Sequence, residues 1–338
     1  MRINREELLN QISSVMPGLA AREVHTEQSS CFVFKDKTVM TYNDEIACSH
    51  ASCLHIEGAV EALPLVAILR KLTEKELEVK IEENELLIKG KNKRVGIKLE
   101  SEIVLPVDAV DMPKKWKDLP DDFADAISIV QQCAGSDITK FALTCVQLHP
   151  KWIQACDSYQ AARYKMKLNI HEPTLVRKES IKYIVSLDMS KFGETENWIH
   201  FKNSTGLVLS CKRWVEEDFP KISKLLKREG IPIPLPKGLA EAAEKAAVFS
   251  VDNAVDDEVS VNLKDDKIKI IGRGASGYYQ EVKKIKYKGH RLDFKIAPKL
   301  LINLIHQHNA CEIAANMLKI KTGKYTYITV LTAPDDEK

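Results

Sequence analysis

The sequence predicts an α+β fold built of three tandem domains, each with two helices packed on antiparallel sheets. Three observations predict it. A short apolar helical run recurs as Leu65-Val-Ala-Ile-Leu69, Ile181-Lys-Tyr-Ile-Val185 and Leu300-Leu-Ile-Asn-Leu304, with starts 116 and then 119 residues apart. Each run is followed by a strand-like stretch: Leu77-Glu-Val-Lys-Ile81, Trp198-Ile-His-Phe201 and Glu312-Ile-Ala. Each third then closes on a second alternating stretch, Arg94 to Leu99, Gly206 to Cys211 and Tyr325 to Val330. The period is far longer than the ~20–50 residues of solenoid units. For 338 residues, a prior of roughly 100–200 per domain allows two or three domains, and the repeat selects three. The expected domains are 1–115, 119–230 and 237–333.

Each third opens with an amphipathic helix. In the first it runs from Arg5 to Met16, with Leu8, Leu9, Ile12 and Val15 at helical spacing. In the second it runs from Asp121 to Cys133, with Phe123, Ala126, Ile127 and Val130. In the third it runs from Lys237 to Phe249, with Leu239, Ala242, Ala243 and Ala246. Spacings of this kind put the apolar residues on one face. The recurring run forms the second helix, and Pro64 and Pro298 suit a first turn. Strand signals fill the rest, among them Ser30 to Phe34, Thr38 to Tyr42, Leu86 to Lys89, Phe141 to Val146 and Val259 to Leu263. Turn signals at Asn84-Glu85, Lys202 to Gly206 and Lys264 to Asp266 separate them. Each third therefore reads as two helices and about eight short strands. The joints, Met112 to Asp118 and Lys227 to Pro236, are short and polar or proline-bearing.

Composition is that of an ordinary globular chain: 44% hydrophobic, 29% charged, net charge +2. No apolar run approaches the ~18 residues needed to span a bilayer, and Met1-Arg-Ile-Asn-Arg-Glu-Glu is no signal peptide. A cytoplasmic protein without a membrane partner is expected. The eight cysteines include no C-x-x-C pair, and several sit in apolar strands, as buried reduced thiols do.

Gly272-Arg-Gly-Ala-Ser-Gly277 is a literal G-x-G-x-x-G after a strand-like segment. A dinucleotide site needs a helix next, because the helix N-terminus holds the pyrophosphate. Here Tyr278 to Lys288 alternates like a strand, so a glycine-rich strand connection is expected and no cofactor. Cys48, His50, Cys53 and His55 are ligand types at no familiar metal spacing. His306 and His308 sit at a helix end, where imidazolium suits the dipole. No metal is expected at either place. No G-x-S-x-G, H-E-x-x-H or P-loop occurs, which favours a scaffold over an enzyme and assigns no catalytic residue. Basic clusters at Lys89 to Arg94, Lys224 to Arg228 and Lys283 to Lys288 read either as solvated faces or as phosphate-facing ones.

Three markers in this order and spacing resemble the bacterial DNA polymerase III beta subunit, the DNA sliding clamp family, over about residues 1–333. Gln154-Ala-Cys-Asp-Ser-Tyr-Gln-Ala-Ala162 resembles the family's A-T-D-G-H-R-L-A stretch. Lys212-Arg-Trp-Val-Glu-Glu-Asp-Phe-Pro220 is similar to K-L-V-D-G-R-F-P. Gly58 to Leu69 falls where the first domain's second helix begins. The chain departs from the pattern at Ser158, Tyr159 and Gln160, and in its tail, which lacks the family's methionine-, proline- and arginine-bearing end.

The resemblance implies a divergent clamp with the DNA clamp fold, no enzyme activity and no cofactor. It implies a head-to-tail homodimer that closes a ring on double-stranded DNA and tethers a replicative DNA polymerase, loaded by a clamp loader. It places pore-facing charge at Arg22 and Lys140. It places the dimer joint at Val95, Ile97, Val248 and Phe249. It places a partner-peptide pocket at Leu143, Cys156, Ser158, Tyr159, Gln160 and Ala161, with Ile328, Val330 and Thr332 on one face of the last strand. Two rival readings stand beside it: a DNA-binding or repair accessory module on the same fold that does not encircle DNA, and a small-molecule enzyme on an α+β scaffold.

Overall fold

A computed structural model describes residues 1–23, 25–250, 258–314 and 316–333. Among them each third runs strand, helix, four strands, helix, three strands. The first third has Arg2–Asn4, helix α1 (Arg5–Val15), the strands Cys31–Lys35, Thr38–Tyr42, Ile46–Ala51 and Gly58–Glu61, helix α2 (Ala62–Lys71), then Glu76–Glu82, Glu85–Lys89 and Arg94–Glu100. The second has Lys117–Asp118, α3 (Phe123–Val130), four strands from Cys145 to Arg177, a second helix in two pieces, α4 (Lys178–Ile181) and α5 (Tyr183–Ser186), and three strands ending at Val208–Lys212. A further short helix, α6 (Ser223–Leu226), follows. The third has Ile231–Pro234, α7 (Gly238–Ala247), four strands from Val259 to Ile296, α8 (Pro298–Gln307), and the strands Ala310–Ala314, Met317–Thr322 and Tyr325–Val330.

Local chemistry explains the helices. The Asn4 side chain accepts the backbone N–H groups of Glu6 and Glu7 at 2.9 and 3.1 Å, capping α1. Leu8, Ile12 and Val15 then face inward and are buried. Arg70 and Lys71 close α2, where cations suit the dipole. α7 buries an almost all-alanine face, Ala240, Ala242, Ala243 and Ala246 beside Leu239. Small side chains there let a strand approach closely: a Cβ on Gly272 would lie 1.8 Å from the Ala246 carbonyl oxygen. Pro298 opens α8, as the sequence predicts.

The chain divides into two compact units, residues 1–154 with 166–219, and residues 155–165 with 220–338. The first unit holds a 12-stranded antiparallel sheet. Its strand Ile46–Ala51 pairs with Val208–Lys212, from Cys211 opposite Ile46 to Val208 opposite Ser49, so the sheet passes from the first third into the second. Phe32, Phe34, Leu65 and Leu69 fill one part of its core, and Phe123, Phe192 and Phe201 another.

In the second unit Gln160–Lys165 pairs with the last strand, Tyr325–Val330. The pairing continues through Met317–Thr322 and Ala310–Ala314 to Ile231–Pro234. A separate 4-stranded sheet runs Gly277–Lys284, Lys267–Gly274, Val259–Lys264, Leu292–Ile296. The G-x-G-x-x-G therefore lies at a hairpin between Lys267–Gly274 and Gly277–Lys284, with no helix after it.

One pairing rule recurs. The fourth strand of the first third does not end its sheet; Ile46–Ala51, the third of its four middle strands, pairs with the last strand of the second third. Gln160–Lys165, the third of the four middle strands of the second third, pairs with the last strand of the third. By that rule Gly277–Lys284, the third middle strand of the third third, needs a last strand that the chain has already used. Among the described residues it is an edge strand. Arg94–Lys98, in the last strand of the first third, is paired on one side only, because Gly58–Glu61 meets that strand only at Leu99 and Glu100.

Candidate functional site

The segment after Trp152 turns sharply at Asp157. One carboxylate oxygen accepts the N–H groups of Tyr159 at 2.7 Å and Gln160 at 2.8 Å, and the other accepts the Gln160 amide at 3.1 Å. The turn is fastened to the last strand. Val330 donates its N–H to the Tyr159 carbonyl at 2.8 Å, the Thr329 hydroxyl donates to that same oxygen at 3.3 Å, and the Tyr327 hydroxyl donates to Gln160 Oε1 at 3.1 Å. Two apolar side chains are left in water side by side: Tyr159 is 71% exposed and Val330 45%. An exposed aromatic on a rigid turn is a suitable anchor for a partner.

The remaining expected pocket residues divide. Ser158 is exposed, and Gln160 half-buried. Cys156, Ala161 and Ile328 are buried beneath the surface, so they support it without presenting side chains to a ligand. Burial pushes the Cys156 thiol up to about 12, so it stays a neutral thiol. Thr332 corrects the reading of the last strand. That strand ends at Val330. Thr332 exchanges backbone hydrogen bonds with Lys295, and its hydroxyl donates to Glu258 at 2.6 Å. It therefore lies past the end of that strand, in a bridge of its own. Leu143 belongs to the other unit and is half-buried in the 3-10 segment Ile138–Thr144. The tail from residue 334, where the family's end differs, lies outside the described residues.

The expected joint residues also divide. Val248 is 68% exposed after α7. Phe249 is exposed in part and sits 3.5 Å from where a Gly277 Cβ would be. Val95 is half-buried, but Ile97 pairs opposite Leu86 and is buried in its own core. The sequence predicts a strand after Gly277 but not that it lies at a sheet edge beside Phe249, where it exposes Tyr278 and Val282. The alternation of Tyr278, Gln280, Val282 and Lys284 gives the strand, whereas its place at the edge follows from long-range pairing.

Arg22 is exposed in the segment between α1 and Cys31–Lys35. Lys140 is exposed at a break in the Ile138–Thr144 turn, with φ −112° and ψ 64°. Among the described residues no three histidines, cysteines or carboxylates gather as metal ligands. Of the sequence cluster, Cys48 is buried with its thiol pushed up to about 12, and the His50 ring meets the Ala51 carbonyl at 2.8 Å and the Thr205 hydroxyl at 3.3 Å. Among the described residues no helix is long and apolar enough to cross a membrane.

No protein-family model matches the sequence, and no curated protein matches it. Solved structures do. A sliding clamp from Pseudomonas aeruginosa, DNA polymerase III subunit beta bound to griselimycin, superposes with a TM-score of 0.85 at 15% identity over 99% of both chains. A clamp from Bartonella birtlesii gives 0.86 at 13% over 99% of both. A clamp from Bacillus subtilis gives 0.84 at 14% over 98% of both. At such identity the likeness speaks for the backbone, and from end to end this chain has the DNA clamp fold of the bacterial polymerase III beta subunits.

Proposed function

We propose that the protein is a non-catalytic DNA sliding clamp: two copies join head to tail, encircle duplex DNA in the cytoplasm, and tether a polymerase and other replication or repair proteins. The pairing rule carries this reading. The third middle strand of each third pairs with the last strand of the following third, and the rule leaves one unmatched strand at each end of the series, Gly277–Lys284 and Arg94–Lys98. A second copy supplies the missing partner to each. That contact joins different patches, and with two copies it closes a twofold ring. Val248, Phe249 and Tyr278 flank one edge and would be covered by the joint.

A closed ring needs no sequence-specific grip. Lysines and arginines facing the hole would meet phosphates at every register, ~1.7 Å apart along the axis, and such contacts permit sliding. Partners held at Tyr159 and Val330 stay at high effective concentration.

The non-encircling alternative stands beside it: both free edges carry cations, Arg94 and Lys98 on one, Lys283 and Lys284 on the other, with Arg94, Lys98 and Lys283 paired to Glu82, Glu100 and Glu281. Sedimentation equilibrium decides between the two. The clamp reading expects twice 38.1 kDa at micromolar concentration. A species that stays at 38.1 kDa at every concentration, and on DNA, would instead support the accessory module.

A further inference from the structure

The second unit holds a trough of about 540 Å3 on the sheet that also carries Tyr159 and Val330 at one end. Strand register builds it. Arg163 lies opposite Thr326, and Thr326 opposite Lys321. One row along, Ala161 lies opposite Ile328, and Ile328 opposite Lys319. Residues directly opposite share a sheet face, and so do residues two apart. Arg163, Lys165, Lys319 and Lys321 thus project from the face to which Ile328 and Val330 belong. Thr326 is four residues from Val330, or about 13 Å along the strand.

The trough is cationic and partly built. Lys319 is 5% exposed, held by the Arg228 carbonyl at 2.7 Å and Glu312 at 3.0 Å. That ion pair uses one of the two carboxylates in the lining. Arg163 donates to the Ser223 hydroxyl of α6 at 2.9 Å, which fixes its guanidinium at the rim. Lys165, Lys227 and Lys321 form no ion pair among the described residues, and only Glu229 remains to oppose them. Leu226 and Pro232 add apolar surface to the lining. Cations crowded on one face repel one another unless an anion joins them.

We infer that this trough receives the acidic flank of a partner peptide whose apolar anchors dock at Tyr159 and Val330. The inference rests on the partner-peptide reading above. A cationic lining with some apolar surface suits an extended segment bearing carboxylates on short side chains, since charge-assisted hydrogen bonds to lysine and arginine are the strong ones. The preference should fade as salt rises.

Fluorescence anisotropy on the full chain tests it with two peptides. Both carry the same apolar anchors; one continues into aspartates, the other into asparagines. The acidic peptide should bind about tenfold more tightly. In the Lys165→Glu, Lys321→Glu variant that advantage should vanish, while the neutral peptide binds as before. Equal affinities for the unaltered protein overturn the trough and leave the anchor surface standing. Failure of both peptides to bind overturns the anchor surface and the inference with it. If oligo-dT binds more tightly than the acidic peptide and loses that affinity in the same variant, the trough is a nucleic-acid site and the peptide assignment falls.

Discussion

At the scale of single residues, two positions make distinct predictions. Gly272 is the first glycine of the G-x-G-x-x-G, and its role is steric. A Cβ there would fall 1.8 Å from the Ala246 carbonyl oxygen and 2.5 Å from its carbon, both backbone atoms. Gly272→Ala must push α7 off the sheet and should cost about 1–3 kcal/mol, as overpacking does. A thermal melt that matches the parent would show that the helix can shift freely. His200 is fully buried between the Ser210 hydroxyl at 2.7 Å and the Thr195 hydroxyl at 3.1 Å. Burial pushes its pKa from 6.5 down to about 4. Between those values the unfolded chain binds a proton that the folded chain refuses. Stability from this group is therefore whole above pH 6.5 and declines as pH falls towards 4, at up to about 1.4 kcal/mol per unit. His200→Gln keeps a hydrogen-bonding side chain and removes the titration. Urea midpoints of the variant should decline less over that window, and parallel curves would refute the assignment.

At the scale of elements, caps and edges matter most. Asn4→Ala removes the acceptor for two N–H groups of α1 and should lower stability by about 1 kcal/mol, read as a shift in the denaturant midpoint with unchanged slope. On the clamp reading, the end of α7 and its neighbouring edge strand belong to the joint between two copies. Phe249 is not fully buried in the single chain, so joining would complete its burial. Phe249→Asp should shift the dimer towards monomer while the circular dichroism of the fold persists. An unchanged dimer in the ultracentrifuge places the joint elsewhere.

At the scale of the whole molecule, the predictions concern DNA and partners. Replacing Arg22 and Lys140 with alanine should weaken DNA binding and lower the slope of log affinity against log salt by about one for each phosphate no longer neutralised. A slope equal to the parent's would mean that neither residue faces the duplex. The Tyr159→Ala, Val330→Asp variant deletes the exposed apolar pair. It should lose most of its affinity for an apolar-anchored peptide, since few anchors carry most of the energy at such surfaces. Undiminished binding by the folded variant would move the partner surface away from the Asp157 turn.

The sequence by itself determined the threefold repeat, the two helices in each third and the strand-rich remainder. These are local matters: apolar spacing, Pro298 at a first turn and Asn4 before α1 act within a few residues. It also determined that Gly272 to Gly277 opens no phosphate-binding helix, because the alternation after Gly277 is visible in the chain. Only the tertiary structure decided which apolar strand residues reach the surface. Ile328 and Val330 have the same period and opposite exposure, because burial depends on what packs above each one. Thr332 lies beyond the strand's end in a bridge to Lys295, a contact between distant segments that no periodicity encodes. Ile97 turned inward for the same reason. The unmatched edges at Gly277–Lys284 and Arg94–Lys98, and the cationic trough, depend on long-range pairing across strands. Register between segments far apart in sequence is set by the packed sheet, so these features became legible only in the folded molecule.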